Sequence, residues 1–115
     1  MGSNALSIKK GDDKVYDVTI KDSDGAAIDI TGYTVKFTVR ANPYDSTYKI
    51  YKSTPGTSGI SITDATNGKA RISLEDTDTN ITIGKYVYDV EVTDTSGRKS
   101  TVLYDNLTIK SEVTR

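Results

Sequence analysis

The sequence predicts an all-β protein, an antiparallel β-sandwich or barrel, and three observations carry that prediction. Stretches of apolar–polar alternation recur along the chain, the period of a strand with one dry and one wet face. They follow one another at spacings of about 8–12 residues, with turn residues between them. Only one short stretch, Glu75 to Ile81, reads as helix. The stretch the rest is organised around is Gly84–Thr93. Tyr86, Tyr88, Val90 and Val92 fall on one side of an extended chain there, and Lys85, Asp89, Glu91 and Thr93 on the other, with Val87 the exception.

Taken in order, Met1-Gly2-Ser3-Asn4-Ala5 reads as an expression scar outside the fold, leaving residues 6–115 as a single domain. Leu6–Lys9 is a short alternating lead-in that Gly11 ends. Lys14–Lys21 is a half-buried strand with Tyr16, Val18 and Ile20 on its apolar face. Asp22-Ser23-Asp24-Gly25 is a tight turn, because Asp accepts local backbone N–H bonds and Gly takes positive φ. After a brief extended piece at Ala27–Ile30, Tyr33, Val35, Phe37 and Val39 alternate with Thr34, Lys36, Thr38 and Arg40. Residues Ala41 to Gly59 break the rhythm. They form a polar, tyrosine-rich excursion bracketed by Pro43 and Pro55, in which Tyr48–Tyr51 reads as a short edge strand. Ile60 and Ile62 resume a strand, Asp64–Gly68 turns through Asn-Gly, and Ala70, Ile72 and Leu74 mark the next apolar face. Beyond the central strand, Asp94–Gly97 turns into a last strand. Its register is expected to break at a bulge around Asp105-Asn106.

The totals bound function mainly by exclusion. The 115 residues suffice for one ordinary core. With no cysteine there is no disulfide, thiolate zinc site or thiol nucleophile, and with no histidine the commonest general base and metal ligand are missing. The net charge of −1, scattered along the chain, gives no basic stripe of the kind that binds nucleic acid. No apolar run approaches the ~18 residues of a membrane span.

Aspartate is the one residue type that invites a chemical reading. Asp22, Asp24 and Asp29 echo a calcium loop, but the glycine comes too early and no glutamate closes the site. Turn formation explains them better. Asp76 and Asp78 could pair as glycosidase carboxylates, but on a single helical turn they read as cap and solvent groups. Asn80-Ile81-Thr82 and Asn106-Leu107-Thr108 match the glycosylation pattern by chance.

The Leu74, Asp78, Gly84-Lys85-Tyr86 region resembles the segment that crosses between the sheets of an immunoglobulin-like sandwich, where a tyrosine at the next strand's start bonds back to the crossing. Tyr86 is the candidate for that structural corner, and the competing reading is an ordinary core tyrosine with its hydroxyl at the rim. The fold class is therefore expected to be an immunoglobulin-like antiparallel β-sandwich of about seven to nine strands. The pieces Gly11-Asp12, Asp24-Gly25, Asp29-Ile30-Thr31-Gly32-Tyr33-Thr34-Val35, Arg40, Gly59-Ile60 and Asp76-Thr77 occur in order. Gly84–Val92, Gly97 and Glu112-Val113-Thr114-Arg115 follow them. Together they resemble a family of small phage structural proteins, and are similar to the N-terminal immunoglobulin-like domain of phage baseplate upper proteins. The departure from the pattern is the long Tyr44–Thr57 excursion. The resemblance implies a non-enzymatic virion component, a tail or baseplate adaptor, found in the virion and in the host bacterial cytoplasm during assembly. It implies no catalytic residue, no cofactor and no metal. It implies partners that are other virion proteins or copies of the chain itself, as in a homo-oligomer, rather than nucleic acid or membrane.

Tyr44, Tyr48 and Tyr51 lie in the excursion, where no core demands them. Exposed tyrosine buries much area at small entropic cost, so these three are the candidate interface. The competing reading is that the excursion folds back and packs its own tyrosines over an open sheet edge. The alternative function is a glycan- or cell-surface-binding module that uses the same tyrosines.

Overall fold

The computed structural model describes residues 5–22, 24–42, 44, 47–54 and 59–111. Residues 1–4, where the sequence reads as an expression scar, both prolines and the Glu112–Arg115 piece of the resemblance lie outside the described residues. The protein is built mostly of β-strands arranged in two sheets. The strands are β1 (Leu6–Lys9), β2 (Lys14–Thr19), β3 (Thr34–Arg40), β4 (Ile50–Thr54), β5 (Ile60–Asp64), β6 (Lys69–Leu74), β7 (Gly84–Thr93) and β8 (Lys99–Lys110). A single helical turn, α1 (Asp76–Thr79), joins β6 to β7. The larger sheet runs β1-β8-β7-β3-β4 and the smaller β2-β6-β5. Every pairing between named strands is antiparallel except that of β1 with β8.

Alternation in the sequence becomes burial in the sandwich. In β7 Tyr86, Tyr88, Val90 and Val92 are buried, and the residues between them are not. Across the β3–β7 ladder Val35 faces Val92, Phe37 faces Val90 and Val39 faces Tyr88, so the dry faces of neighbouring strands coincide. Ile72 and Leu74 of β6 supply the opposing layer, with Ile20 and Ile30 from the irregular link between β2 and β3. Phe37 and Tyr88 stack at the centre, with ring centroids 5.6 Å apart.

The turns follow their residue chemistry. The Asp22 carboxylate accepts the N–H of Asp24 and of Ala26, Asp29 accepts from Thr31, and Asp94 accepts from Ser96 and Arg98. These aspartates serve local backbone. The Asn67-Gly68 turn closes a short 3₁₀ turn, Ala65–Asn67, with Gly68 at φ 70°. A Cβ at Gly68 would lie 2.6 Å from the Ile28 carbonyl oxygen, so a side chain is excluded there as well as disfavoured by the backbone.

Two strand details differ from expectation. The edge strand spans Ile50–Thr54 instead of Tyr48–Tyr51. Its register is set by Ile50, which faces Val39 on the dry side and leaves Tyr51 opposite Thr38 on the wet side. The irregularity in β8 lies at Val102, not at Asp105-Asn106, since Val90 pairs with Leu103 while Glu91 pairs with Thr101. One extra residue reverses the parity of everything beyond it. Leu103, Asp105 and Leu107 thereby face the same side as Val90, Tyr88 and Tyr86, and Tyr104 is turned outward.

The crossing between β6 and β7 is held from both sides. Glu75 and Asp78 form a capping box around α1. The Asp76 N–H donates to the Asp13 carboxylate, and the Thr79 hydroxyl, wholly buried, donates to the Asp12 carbonyl over 2.7 Å. Lys52 sits opposite Phe37 on the edge strand, and its ammonium meets Asp78 at 2.9 Å. An inward-pointing charge on an edge strand discourages pairing with a further strand, and here it also fastens β4 to the crossing.

Candidate functional site

The outer face of the larger sheet is where exposed aromatic and charged side chains gather. One rung runs straight across four strands. Tyr104 of β8 pairs with Asp89 of β7, Asp89 with Thr38 of β3, and Thr38 with Tyr51 of β4. Tyr48, just before β4, stacks on Tyr51 with ring centroids 5.1 Å apart. The rung is thus bounded by Tyr104 at one end and by a tyrosine pair at the other. Thr38 faces outward yet is only 7% exposed, because taller neighbours overhang it. Two shallow recesses lie on either side of it. One, about 190 Å³, is lined by Lys36, Arg40, Tyr51 and Glu91 among others, and the other, about 60 Å³, by Val87 and Tyr104 among others.

The charges on this face are laid out by strand. Asp89 and Glu91 stand on β7, and Lys36 and Arg40 on β3. Arg40 reaches Asp89 at 4.0 Å, a long and half-exposed contact. Burial raises the Asp89 pKa above the usual carboxylate range, Arg40 lowers it, and Glu91 raises it further. Burial prevails, so the one basic neighbour leaves Asp89 undercompensated.

The predicted interface residues divide. Tyr48 is 56% exposed and is brought together with Tyr51, which is half-buried in the sheet. Tyr44 is 95% exposed, and its backbone N–H is held by the Asn42 side chain. The excursion therefore joins two of its tyrosines over the β4 edge and leaves the third in solvent. Tyr86 lies on the dry face, and its hydroxyl donates to the Thr82 carbonyl just before β7. Sequence reasoning missed Tyr104, which is 57% exposed. Alternation carried forward from Lys99–Thr101 gives Tyr104 the wrong face, because the Val102 bulge changes the parity before it, and nothing in the local sequence marks that bulge.

The arrangement supplies stacking faces, fixed charges of both signs and small hydroxyl groups, which is equipment for recognition. Among the described residues no three Asp or Glu side chains converge in the manner of a metal site. Asp78 is occupied by its cap and by Lys52, while Asp76 is exposed. An apolar recess of about 220 Å³ lies elsewhere, between the sheets beside β1, and Leu6, Tyr16, Val18 and Leu103 are among its lining. The Tyr16 hydroxyl is buried with no hydrogen-bond partner among the described residues. Burial, with Tyr88 adding to it, pushes its pKa up to about 12. Compared with known proteins, the chain matches no family model and no curated protein sequence.

Proposed function

We propose that the protein is a non-enzymatic structural component of a phage or prophage virion, a tail or baseplate adaptor that works by protein–protein assembly. The observation that carries this reading is the tyrosine pair at the β4 edge, with exposed Tyr48 stacked on half-buried Tyr51, and Tyr44 also in solvent. Rigid aromatic side chains displayed at a sheet edge, with no core to fill, suit association with another protein surface. The finer fold we assign is an immunoglobulin-like sandwich. The order β1-β8-β7-β3-β4 against β2-β6-β5 supports it, as does the Tyr86–Thr82 bond at the crossing, which gives Tyr86 the role of structural corner. The ordered motif pieces from Gly11-Asp12 to Gly97 support the phage assignment by resemblance.

The test is the mass of the full chain in solution, by light scattering after size exclusion, across a wide range of concentrations. Self-association or capture of a co-expressed virion protein, lost in Tyr44→Ala/Tyr48→Ala with the melting temperature unchanged, is the expected result. Association that ignores this double substitution would remove these tyrosines from the interface. Saturable binding to an isolated saccharide, with no protein association, would favour the glycan-binding alternative.

A further inference from the structure

We infer that the outer face of the larger sheet is a self-complementary docking surface for a second copy of this chain, built on the Tyr104–Asp89–Thr38–Tyr51 rung and the charged pairs that flank it. The inference deepens the assembly reading and rests on it. It names one surface and one partner.

The register carries the argument. On this face β7 presents Asp89 and Glu91, with Lys85 near its start, and the adjacent β3 presents Lys36 and Arg40. An acidic pair therefore stands beside a basic pair. A two-fold axis lying in the contact plane, parallel to the strands and midway between β3 and β7, places each pair over the partner's opposite. Glu91 meets Lys36 of the partner subunit, since the two share a rung, and Asp89 lies diagonally across from Arg40 of the partner subunit. The same rotation superposes the ends of the central rung. Tyr104 of each copy comes over Tyr51 of the partner subunit, with its stacked Tyr48. Each contact occurs twice, as an isologous interface requires. With the axis along the strands, the central strands of the two copies run parallel, within the roughly 30° spread of aligned face-to-face sheet packing.

The chemistry favours a copy over other occupants. A neutral saccharide would desolvate Lys36, Arg40, Asp89 and Glu91 and offer no counter-charges. A strongly acidic or basic protein would satisfy one pair and repel the other. A second copy supplies each charge with its opposite. The in-chain Arg40–Asp89 contact is long, at 4.0 Å, and a second guanidinium across the interface would complete the compensation that burial of Asp89 calls for. The patch is only four strands wide, about 15 Å at ~4.8 Å per strand spacing. It belongs with small, transient interfaces, and the expected dimer dissociates in the micromolar range or above.

The test uses charge reversal in the full chain. One variant carries Lys36→Glu and Arg40→Glu, which makes the face acidic. The other carries Asp89→Lys and Glu91→Lys, which makes it basic. Thermal melts first establish that each is folded. Sedimentation equilibrium up to about millimolar protein is then run on the wild type, on each variant and on their equimolar mixture. The expected result is a concentration-dependent wild-type dimer, two monomeric variants, and a dimer in the mixture tighter than the wild type and weakened by salt. Tyr104→Ser, at an exposed position away from the core, should weaken the wild-type dimer at least tenfold. A wild-type dimer indifferent to Tyr104→Ser and to both reversals, yet lost in Tyr44→Ala/Tyr48→Ala, overturns this surface while the assembly reading stands. A mixture that stays monomeric while the folded wild type dimerises overturns this matching of charges. A wild type monomeric throughout the range overturns the inference and leaves assembly to heterologous partners.

Discussion

Strands β3 and β7 present two different surfaces on one backbone. Inward, Val35, Phe37, Val39 and Val90 are sealed from solvent and meet side to side across the ladder. Outward, the alternate rungs carry Lys36, Thr38, Arg40, Asp89 and Glu91. The inner face stabilises through area removed from water, a non-directional effect that tolerates many apolar substitutes of similar volume. The outer face depends on which residue stands opposite which, and its Coulombic terms are weak while water has access. One face therefore carries stability, and the other is the face proposed for recognition.

That comparison can be broken or sharpened by substitution. The largest effect is expected on the inner face, where Phe37→Ala should cost about 3–5 kcal/mol by leaving a cavity against Tyr88. Urea unfolding measures it, and a loss under 1 kcal/mol would mean that the two layers close over the gap. Tyr86→Phe should cost about 1–2 kcal/mol, because the Thr82 carbonyl loses its donor while the ring stays packed. The same unfolding experiment reads it, and a neutral outcome would mean that water replaces the hydroxyl.

Tyr16→Phe should act in the opposite direction. It removes a buried hydroxyl that has no partner among the described residues, and a gain of about 1 kcal/mol is expected at neutral pH. The pH dependence has a definite sign. The folded pKa, about 12, lies above the ordinary value of 10, so folding favours the neutral phenol. Its contribution is whole below pH 10 and is lost as pH rises through 10 toward 12. Melts between neutrality and that range should show the wild type losing stability more steeply than Tyr16→Phe, with Tyr88, also raised, accounting for part of the remaining slope. Equal slopes would remove Tyr16 from the alkaline transition.

The smallest effect belongs to the outer face. Tyr104→Ala in dilute solution should shift stability by no more than about 0.5 kcal/mol, as at most exposed positions. Any larger loss would show that Tyr104 packs within its own chain.

Much of the inner face was legible in the sequence, and the candidate site only in part. Alternation at Tyr33–Arg40, Lys69–Leu74 and Gly84–Thr93 told which residues are dry, because side-chain parity is a local property of an extended chain. Tyr44 and Tyr48 stood out because no apolar pattern claimed them. Tyr104 did not stand out, since it follows Val102-Leu103 with no sign of where the parity changes. The edge strand begins at Ile50, not Tyr48, and the sequence does not show this, because Tyr48 and Tyr51 resemble strand residues as strongly as Ile50 does and only contact with Val39 selects among the registers.

What the sequence determined by itself is the all-β character, the dry face of each regular strand, and the turns made by Asp22, Asp29, Asp94 and Gly68. All of these depend on neighbours within a few residues. What only the tertiary structure decided is the strand order, the bulge at Val102, the joining of Lys52 to Asp78 and the alignment of Tyr104, Asp89, Thr38 and Tyr51 in one rung. These unite residues tens of positions apart. Their register is chosen by the packing of the whole inner face, and the outer face inherits it.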